Sequence, residues 1–200
     1  TVFRDFVCYK RRSKTTSKPS CGSAERISHR EHRELRESNL KLDLCGIFCR
    51  KLMKRIAFYG GSFDPVHNAH LALARAVVEQ FELDEFVFVP AFHAPHKVRL
   101  KPTSAYDRYA MLCLLTANRP NISVSKIEIG MPEKPYSVET LKRIKAELTG
   151  DKIFFVIGAD SWMDIKTWRE WQTVLLMTNV IVMTRPGYEI SFDHVTDEIR

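Results

Sequence analysis

Residues 57–77, AFYGGSFDPVHNAHLALARAV, decide the fold, because they join a short apolar run to a helical segment through two glycines. At Gly60 and Gly61 the backbone can turn tightly and approach a ligand closely, since no side chain is in the way. The helix that follows exposes N–H groups and the positive end of its dipole at its first turn, which favours an anion. The stretch therefore predicts a strand, a tight turn and a helix whose start binds an anion.

Two histidines, His67 and His70, stand at the start of this predicted helix. Residues three apart on a helix lie on the same side, so both imidazoles can donate hydrogen bonds to phosphate oxygens. A bound anion would also favour their charged form. The residues alone leave open that these are ordinary surface histidines. A metal site would need a third ligand, which is not nearby in sequence, and the dinucleotide pattern G-x-G-x-x-G is absent.

Strand and helix patterns alternate from Met53 onward, which predicts an α/β fold. The predicted strands are mostly apolar throughout, as expected of strands buried on both faces. The alternation implies a Rossmann-like, doubly wound, mostly parallel sheet of five to six strands with helices on both faces. Ligands bind such sheets at the carboxyl ends of the strands. Strands are predicted at 54–60, 85–91, 122–128, 152–158 and 179–185, and helices at 68–82, 104–118, 137–148 and about 168–177.

The first 52 residues differ in composition from the rest of the chain. They hold 13 Lys and Arg against 6 Asp and Glu, whereas residues 53–200 hold 18 of each. The excess positive charge therefore lies in residues 1–52. The net charge of the remainder gives no reason to expect that it binds nucleic acid. We expect residues 1–52 to be a basic, poorly ordered extension, and residues 53–200 to be the folded domain.

The cysteine spacing bears on whether the protein builds a metal site, and the hydropathy pattern bears on where in the cell the protein lies. Four of the five cysteines lie in the extension, where C-x3-C spacing is too wide for the common zinc knuckle, so we predict no metal site built from the protein. No apolar run reaches 18 residues and no secretory signal is evident, so we expect a cytoplasmic protein that does not bind membranes. The sequence does not determine the oligomeric state, and a homo-oligomer is one possibility.

The segment GGSFDPVHNAH, residues 60–70, resembles the GG-x-F-D-P-x-H-x-G-H signature of nucleotidyltransferases with an HxGH-type motif. Ala69 departs from it, standing where glycine is usual. Four later segments narrow the resemblance to the bacterial nicotinate-nucleotide adenylyltransferases. They are VPAFHAPHK, KPYSVETLKRIK, FFVIGADSWMDIKTWREW and VMTRPGY. The resemblance runs from about Lys54 to Tyr188.

The resemblance implies roles for particular residues. It makes His67 and His70 catalytic, as donors to the phosphates of ATP. For the nicotinate ring it implies stacking on Trp168, and for the ring's carboxylate it implies backbone donors near Ser137 and Asp164. From the residues themselves, Ser137 is expected to cap its helix and Trp171 to lie in the core. Lys97 is expected to meet phosphate, the alternative being a solvated loop lysine, and Arg185 is expected either to meet phosphate or to close the fold. The predicted ATP-binding residues are Gly60, Gly61, Ser62, Phe63, His67, His70, Gly158 and Asp160, and the predicted mononucleotide-binding residues are Lys97, Ser137, Thr140, Asp164, Trp168 and Arg185.

The implied reaction is adenylyl transfer from ATP to nicotinate mononucleotide, with Mg²⁺ accompanying ATP, as a step of NAD biosynthesis. Alternatives are another phosphorylated acceptor (nicotinamide mononucleotide or pantetheine phosphate), a nucleotide-binding fragment without turnover, and a basic protein that associates with RNA or membranes through residues 1–52. The family's second ATP motif, I-S-S-T-x-I-R, is matched only faintly by VTDEIR at residues 195–200. We therefore expect the domain to be truncated at its C-terminal end.

Overall fold

The computed structural model describes residues 53–92, 103–130 and 135–184, together with the backbone of residues 6–9. Within these residues the chain forms one mixed sheet and five α-helices. The strands are β1 Phe6–Tyr9, β2 Arg55–Gly61, β3 Glu85–Pro90, β4 Ile122–Val124, β5 Lys152–Gly158 and β6 Asn179–Met183. The helices are α1 Asn68–Gln80, α2 Ala105–Thr116, α3 Ser137–Glu147, α4 Ala159–Met163 and α5 Trp171–Met177, with a 3-10 turn at Ile165–Thr167.

The described strands lie in the order β1-β6-β5-β2-β3-β4, and all neighbours are parallel except β1, which runs antiparallel to β6. From β2 the chain builds outward through β3 and β4, then returns to place β5 and β6 on the other side of β2. The predicted doubly wound, mostly parallel sheet is thus confirmed. The switch point lies between β2 and β5. Strand β1 comes from residues 1–52, where the sequence analysis predicted no strand.

Alternate residues of each central strand face two separate apolar layers. On β3, Phe86 and Phe88 pack with α1 and α2, whereas Val87 and Val89 pack with α3 and α5. Such double burial explains the continuous apolar character of these strands. Helices therefore cover both faces, as predicted, and the open carboxyl edge between them is left for a ligand.

Two element boundaries differ from the sequence prediction by three residues or more, for local reasons. Strand β4 ends at Val124, not at residue 128, because the Ser125 hydroxyl accepts the N–H of Ile127 at 3.2 Å and turns the chain. The helix predicted to begin near residue 168 begins at Trp171, because Trp168 is extended and Glu170 is left-handed, with φ 50°. The short helix α4 was not predicted. No described helix is long and apolar enough to cross a membrane.

Candidate active site

A cleft of about 630 Å³ opens at the carboxyl edge of the sheet. Its walls come from the ends of β2, β3, β5 and β6 and from the starts of α1 and α3. This is where the sequence analysis expected a ligand, at the switch point of a doubly wound sheet. The predicted residues that line it are Gly60, Gly61, His67, His70, Ser137, Gly158, Asp160 and Trp168.

His67 and His70 meet at the mouth of α1. His67 precedes the helix in an extended conformation, and its backbone N–H donates to Nδ1 of His70 at 3.2 Å. The two ring centroids are 3.9 Å apart. Burial of the ring and, secondarily, the neighbouring His67 lower the pKa of His70 to about 4. In the free protein His70 is therefore a neutral imidazole that accepts at Nδ1, so its Nε2 carries the proton.

The glycine turn is shaped by what packs behind it. A Cβ on Gly61 would lie 2.9 Å from the ring of Phe63, which is itself buried at 3% exposure. A Cβ on Gly60 would have nothing within 4 Å, and Gly60 lines the cleft. Gly61 is thus needed for packing, whereas Gly60 leaves open space on the ligand side. Ser62 and Phe63, predicted to bind ATP, do not line the cleft among the described residues.

Asp160 faces the cleft from the end of β5. One of its carboxylate oxygens, Oδ1, accepts the N–H of Ser161 at 2.8 Å. A Cβ on Gly158 would meet that same oxygen at the end of the exposed Asp160 side chain, so a larger residue there would force this carboxylate to move. Asp160 is exposed, and its position suits a hydrogen-bond acceptor for a ribose hydroxyl.

Ser137 and Trp168 line the opposite part of the cleft. Tyr136 is the N-cap of α3, and its N–H donates to Oε2 of Glu139 at 3.1 Å. Ser137 is therefore the first helical residue, and its predicted role as the cap is wrong. Trp168 packs edge to face with Phe155 at 6.2 Å and is half-buried, so part of its ring faces the cleft. Trp171 is buried in the core, as predicted.

Other predicted residues lie elsewhere. Thr140 is buried and donates its hydroxyl to Glu128 at 2.8 Å. Asp164 is exposed and its N–H is bonded to the carbonyl of Asp160 at 3.2 Å, so that N–H is already engaged. Neither Thr140 nor Asp164 is among the described lining residues. Lys97 and Arg185 lie outside the described residues, as does the segment VTDEIR.

Tyr59 and Glu128 are lining residues that the sequence analysis missed. Burial, followed by the negative charge of Asp160, raises the pKa of Tyr59. Burial also raises the pKa of Glu128, and the hydrogen bond from Thr140 opposes that rise. The sequence pattern places Tyr59 within an apolar strand, which gives no sign of a role in the site. It places Glu128 at the end of the strand predicted at 122–128, whereas β4 ends at Val124 and the chain turns at Ser125, and Glu128 lines the cleft.

Comparison with known proteins places the chain in a family. A family model described as cytidylyltransferase-like matches residues 58–200, and the chain belongs to that family. A probable nicotinate-nucleotide adenylyltransferase of Citrifermentans bemidjiense is 40% identical over 137 residues, which are 68% of this chain and 63% of the relative. One from Frankia casuarinae is 41% identical over 134 residues, 67% of this chain and 70% of the relative. The resemblance seen in the sequence is confirmed. The match spans less than two thirds of the first relative's length.

Solved structures confirm the fold. The Plasmodium falciparum nicotinic acid mononucleotide adenylyltransferase complexed with NaAD has a TM-score of 0.61 at 24% identity, over 69% of this chain and 68% of that one. The same protein complexed with APC has a TM-score of 0.59 at 24% identity, over 69% of this chain and 67% of that one.

Proposed function

We propose that this protein transfers the adenylyl group of ATP to nicotinate mononucleotide, giving nicotinate adenine dinucleotide and pyrophosphate. The observation that carries the proposal is the His67–His70 pair at the mouth of α1, in one cleft with Trp168 and the start of α3. The relatives' names support the same substrate class.

The chemistry needs positioning and charge stabilisation more than a nucleophile from the protein. The phosphate of the mononucleotide is already anionic near neutral pH, so it attacks the α-phosphorus of ATP without a general base. The bond to the β-phosphate oxygen breaks, and pyrophosphate leaves. His67 and His70 donate hydrogen bonds to phosphate oxygens as charge develops, and the cleft holds both substrates in line.

Mg²⁺ fits this cleft as an ion that arrives with ATP. The described residues contain no group of three His, Cys, Asp or Glu side chains that would hold a metal by themselves. Mg²⁺ commonly keeps phosphate oxygens and waters and takes one or two carboxylates. Asp160 is the exposed carboxylate in the cleft that would serve, as an alternative to its contact with a ribose hydroxyl. The ion would supply charge neutralisation on the leaving phosphates.

The start of α3 supports selectivity for the acid over the amide. The first N–H groups of a helix have no partner within the helix, and they favour an anion. Hydrogen bonds to a charged acceptor contribute roughly 1.5–3 kcal/mol against about 1 for neutral ones, a difference of about 0.5–2 kcal/mol. An amide would also turn its own N–H₂ donors toward these N–H groups and leave donors unpaired. Since about 1.4 kcal/mol is tenfold, we expect the two effects together to give at least about a tenfold preference for nicotinate mononucleotide in kcat/KM.

Nicotinamide mononucleotide is the second candidate substrate, and one observation favours it. The Glu128 carboxyl lines the same cleft, where it can accept the amide N–H groups and would oppose a carboxylate when ionised. Competition between the two mononucleotides at fixed ATP, with the product identified by mass spectrometry, separates the candidates. Equal use or a preference for the amide contradicts the acid-selective site. Pyrophosphate release should be measured on this chain and on a version extended to its relatives' length, because binding without turnover is the other alternative.

A further inference from the structure

Arg108 is a buried charged residue of α2 that lies behind the cleft. Its exposure is 1%, and it is not among the residues that line the cleft. The guanidinium donates to four backbone carbonyls: Nε to Thr103 at 3.0 Å, Nη1 to Ser62 at 2.5 Å, and Nη2 to Ala91 at 2.7 Å and Phe92 at 3.3 Å.

These carbonyls belong to two cleft walls and to the segment before α2. Ser62 directly follows Gly61 in the glycine turn, and Ala91 directly follows β3; Gly61 and Ala91 both line the cleft. The N–H of Ala91 also donates to the carbonyl of Gly61 at 2.8 Å. Arg108 therefore bridges, from behind, two loops that touch each other at the ligand side.

The charge on Arg108 is the informative feature. Burial lowers its pKa, and the charge of Asp64 acts in the opposite direction. Asp64 also accepts the N–H of Thr103 at 3.0 Å, and this bond joins the segment before α2 to the glycine turn. Replacing a buried charge by an apolar group of similar volume often leaves a protein as stable or more so, so core packing alone does not account for an arginine here. The guanidinium of arginine is planar and carries five N–H donors at fixed angles, so it can hold four backbone carbonyls at fixed positions, which explains an arginine here.

We infer that Arg108 is a positioning residue that sets the distance between the glycine turn and residues 91–92, which follow β3, so that the backbone of both receives the phosphates of ATP. This inference rests on the proposed function, because the spacing matters only if the triphosphate binds at that turn. Arg108 itself does not touch a substrate. Misplacement of reacting groups by about 1 Å costs about 10²-fold in rate, so a small loss of spacing has a large effect.

The test compares Arg108→Lys and Arg108→Gln with Leu112→Ala. Lysine keeps the charge but not the fork, and glutamine removes the charge but keeps an amide donor. Leu112 lies one helical turn further along α2 and is fully buried in the apolar layer, so its truncation reports loss of packing without loss of the bridge. ATP and mononucleotide affinities are measured by calorimetry at a temperature where circular dichroism shows every variant to be folded.

We expect both Arg108 variants to weaken ATP binding by about tenfold or more, as the loss of a hydrogen bond to a charged phosphate does. Affinity for the mononucleotide, whose proposed contacts are at α3 and Trp168, should be unchanged. Leu112→Ala should lower the melting temperature and change neither affinity. Unchanged ATP affinity in folded Arg108 variants overturns the inference, as does an equal loss in Leu112→Ala. Failure of both Arg108 variants to fold also overturns it, because the residue would then serve the whole fold. Affinity is measured without turnover, so a parent protein that binds ATP but forms no dinucleotide contradicts the proposed function, while the Arg108 comparison still tests the positioning role.

Discussion

The rings of His67 and His70 lie 3.9 Å apart, centroid to centroid, and the backbone N–H of His67 donates to Nδ1 of His70 at 3.2 Å. This bond orients the ring of His70. Phe63 and Tyr59 pack against the same ring, with centroids at 5.3 and 6.4 Å. The donor at Nε2 is therefore held in place before a ligand arrives, which is the condition for stabilising developing charge without reorganisation.

Replacing His70 by alanine should lower turnover by about 10²–10³, since one preorganised donor to the transition state is lost. Pyrophosphate release at saturating substrates measures the effect. Asn68→Ala is the matched control, because Asn68 is exposed in the same helical turn and does not line the cleft. Near-parental turnover in a folded His70→Ala protein would contradict the catalytic role.

The titration of His70 should show a pKa of about 4 in the free protein, well below the ordinary 6.5. Burial and the neighbouring His67 disfavour the charged imidazolium, so His70 stays neutral through the window between these two values. Binding of an ATP analogue should raise this pKa, because a nearby anion favours the cation. NMR of the imidazole signals against pH measures both states. A free-protein pKa near 6.5 would be inconsistent with the described burial.

Trp168→Ala should raise KM for the mononucleotide more than it lowers kcat. Stacking stabilises the ground state and the transition state alike, so its loss appears mainly as weaker binding. Trp168→Phe keeps an aromatic face and should retain most of the affinity. Steady-state kinetics at fixed ATP give both constants. If KM is unchanged in a folded Trp168→Ala protein, Trp168 serves only to pack against Phe155.

Replacing Gly60 and Gly61 by alanine, one at a time, should separate an effect on ATP binding from an effect on stability. Gly61→Ala presses a methyl against the buried ring of Phe63 and should cost about 1–3 kcal/mol of unfolding free energy, as overpacking does. Gly60→Ala has open space, so it should change stability little and instead weaken ATP binding. Urea denaturation and calorimetry measure the two effects. Equal destabilisation by both substitutions would show that the turn does not have the described packing.

Stability should depend on pH through Glu128, whose pKa burial raises above the ordinary 4.5. As pH rises above that value, the unfolded chain releases its proton while the folded protein keeps it. The free energy of unfolding contributed by Glu128 therefore falls until the pH passes the folded pKa. Glu128→Gln does not titrate, so its stability relative to the parent should improve over this window.

Urea denaturation of the parent and of Glu128→Gln at several pH values measures this difference, and taking the difference removes the titration of His70, which both proteins share. Glu147→Gln is the control, because Glu147 is an exposed carboxylate at the end of α3. A pH-independent difference between parent and Glu128→Gln would mean that the folded protein ionises Glu128 as easily as the unfolded chain does.

Local chemistry in the sequence determined the strand, glycine turn and helix around residues 57–77, and with them the His67–His70 pair. Both follow from residues close together in the chain: apolar runs form buried strands, and the N-cap residue of a helix meets the residue three positions later across the first turn. Strand and helix alternation also predicted the parallel sheet, and so the edge at which the cleft opens.

Tertiary structure alone decided which distant residues meet in that cleft. Glu128 enters it because the turn at Ser125 ends β4 early, and Thr140 is buried behind it with its hydroxyl engaged by Glu128. In the sequence Arg108 is an ordinary position of a predicted helix, but in the structure its guanidinium contacts carbonyls up to 46 residues away. Periodicity reports which face of an element is buried, but contacts between backbone carbonyls and a buried guanidinium depend on how three loops converge, and no local pattern of residues encodes that convergence.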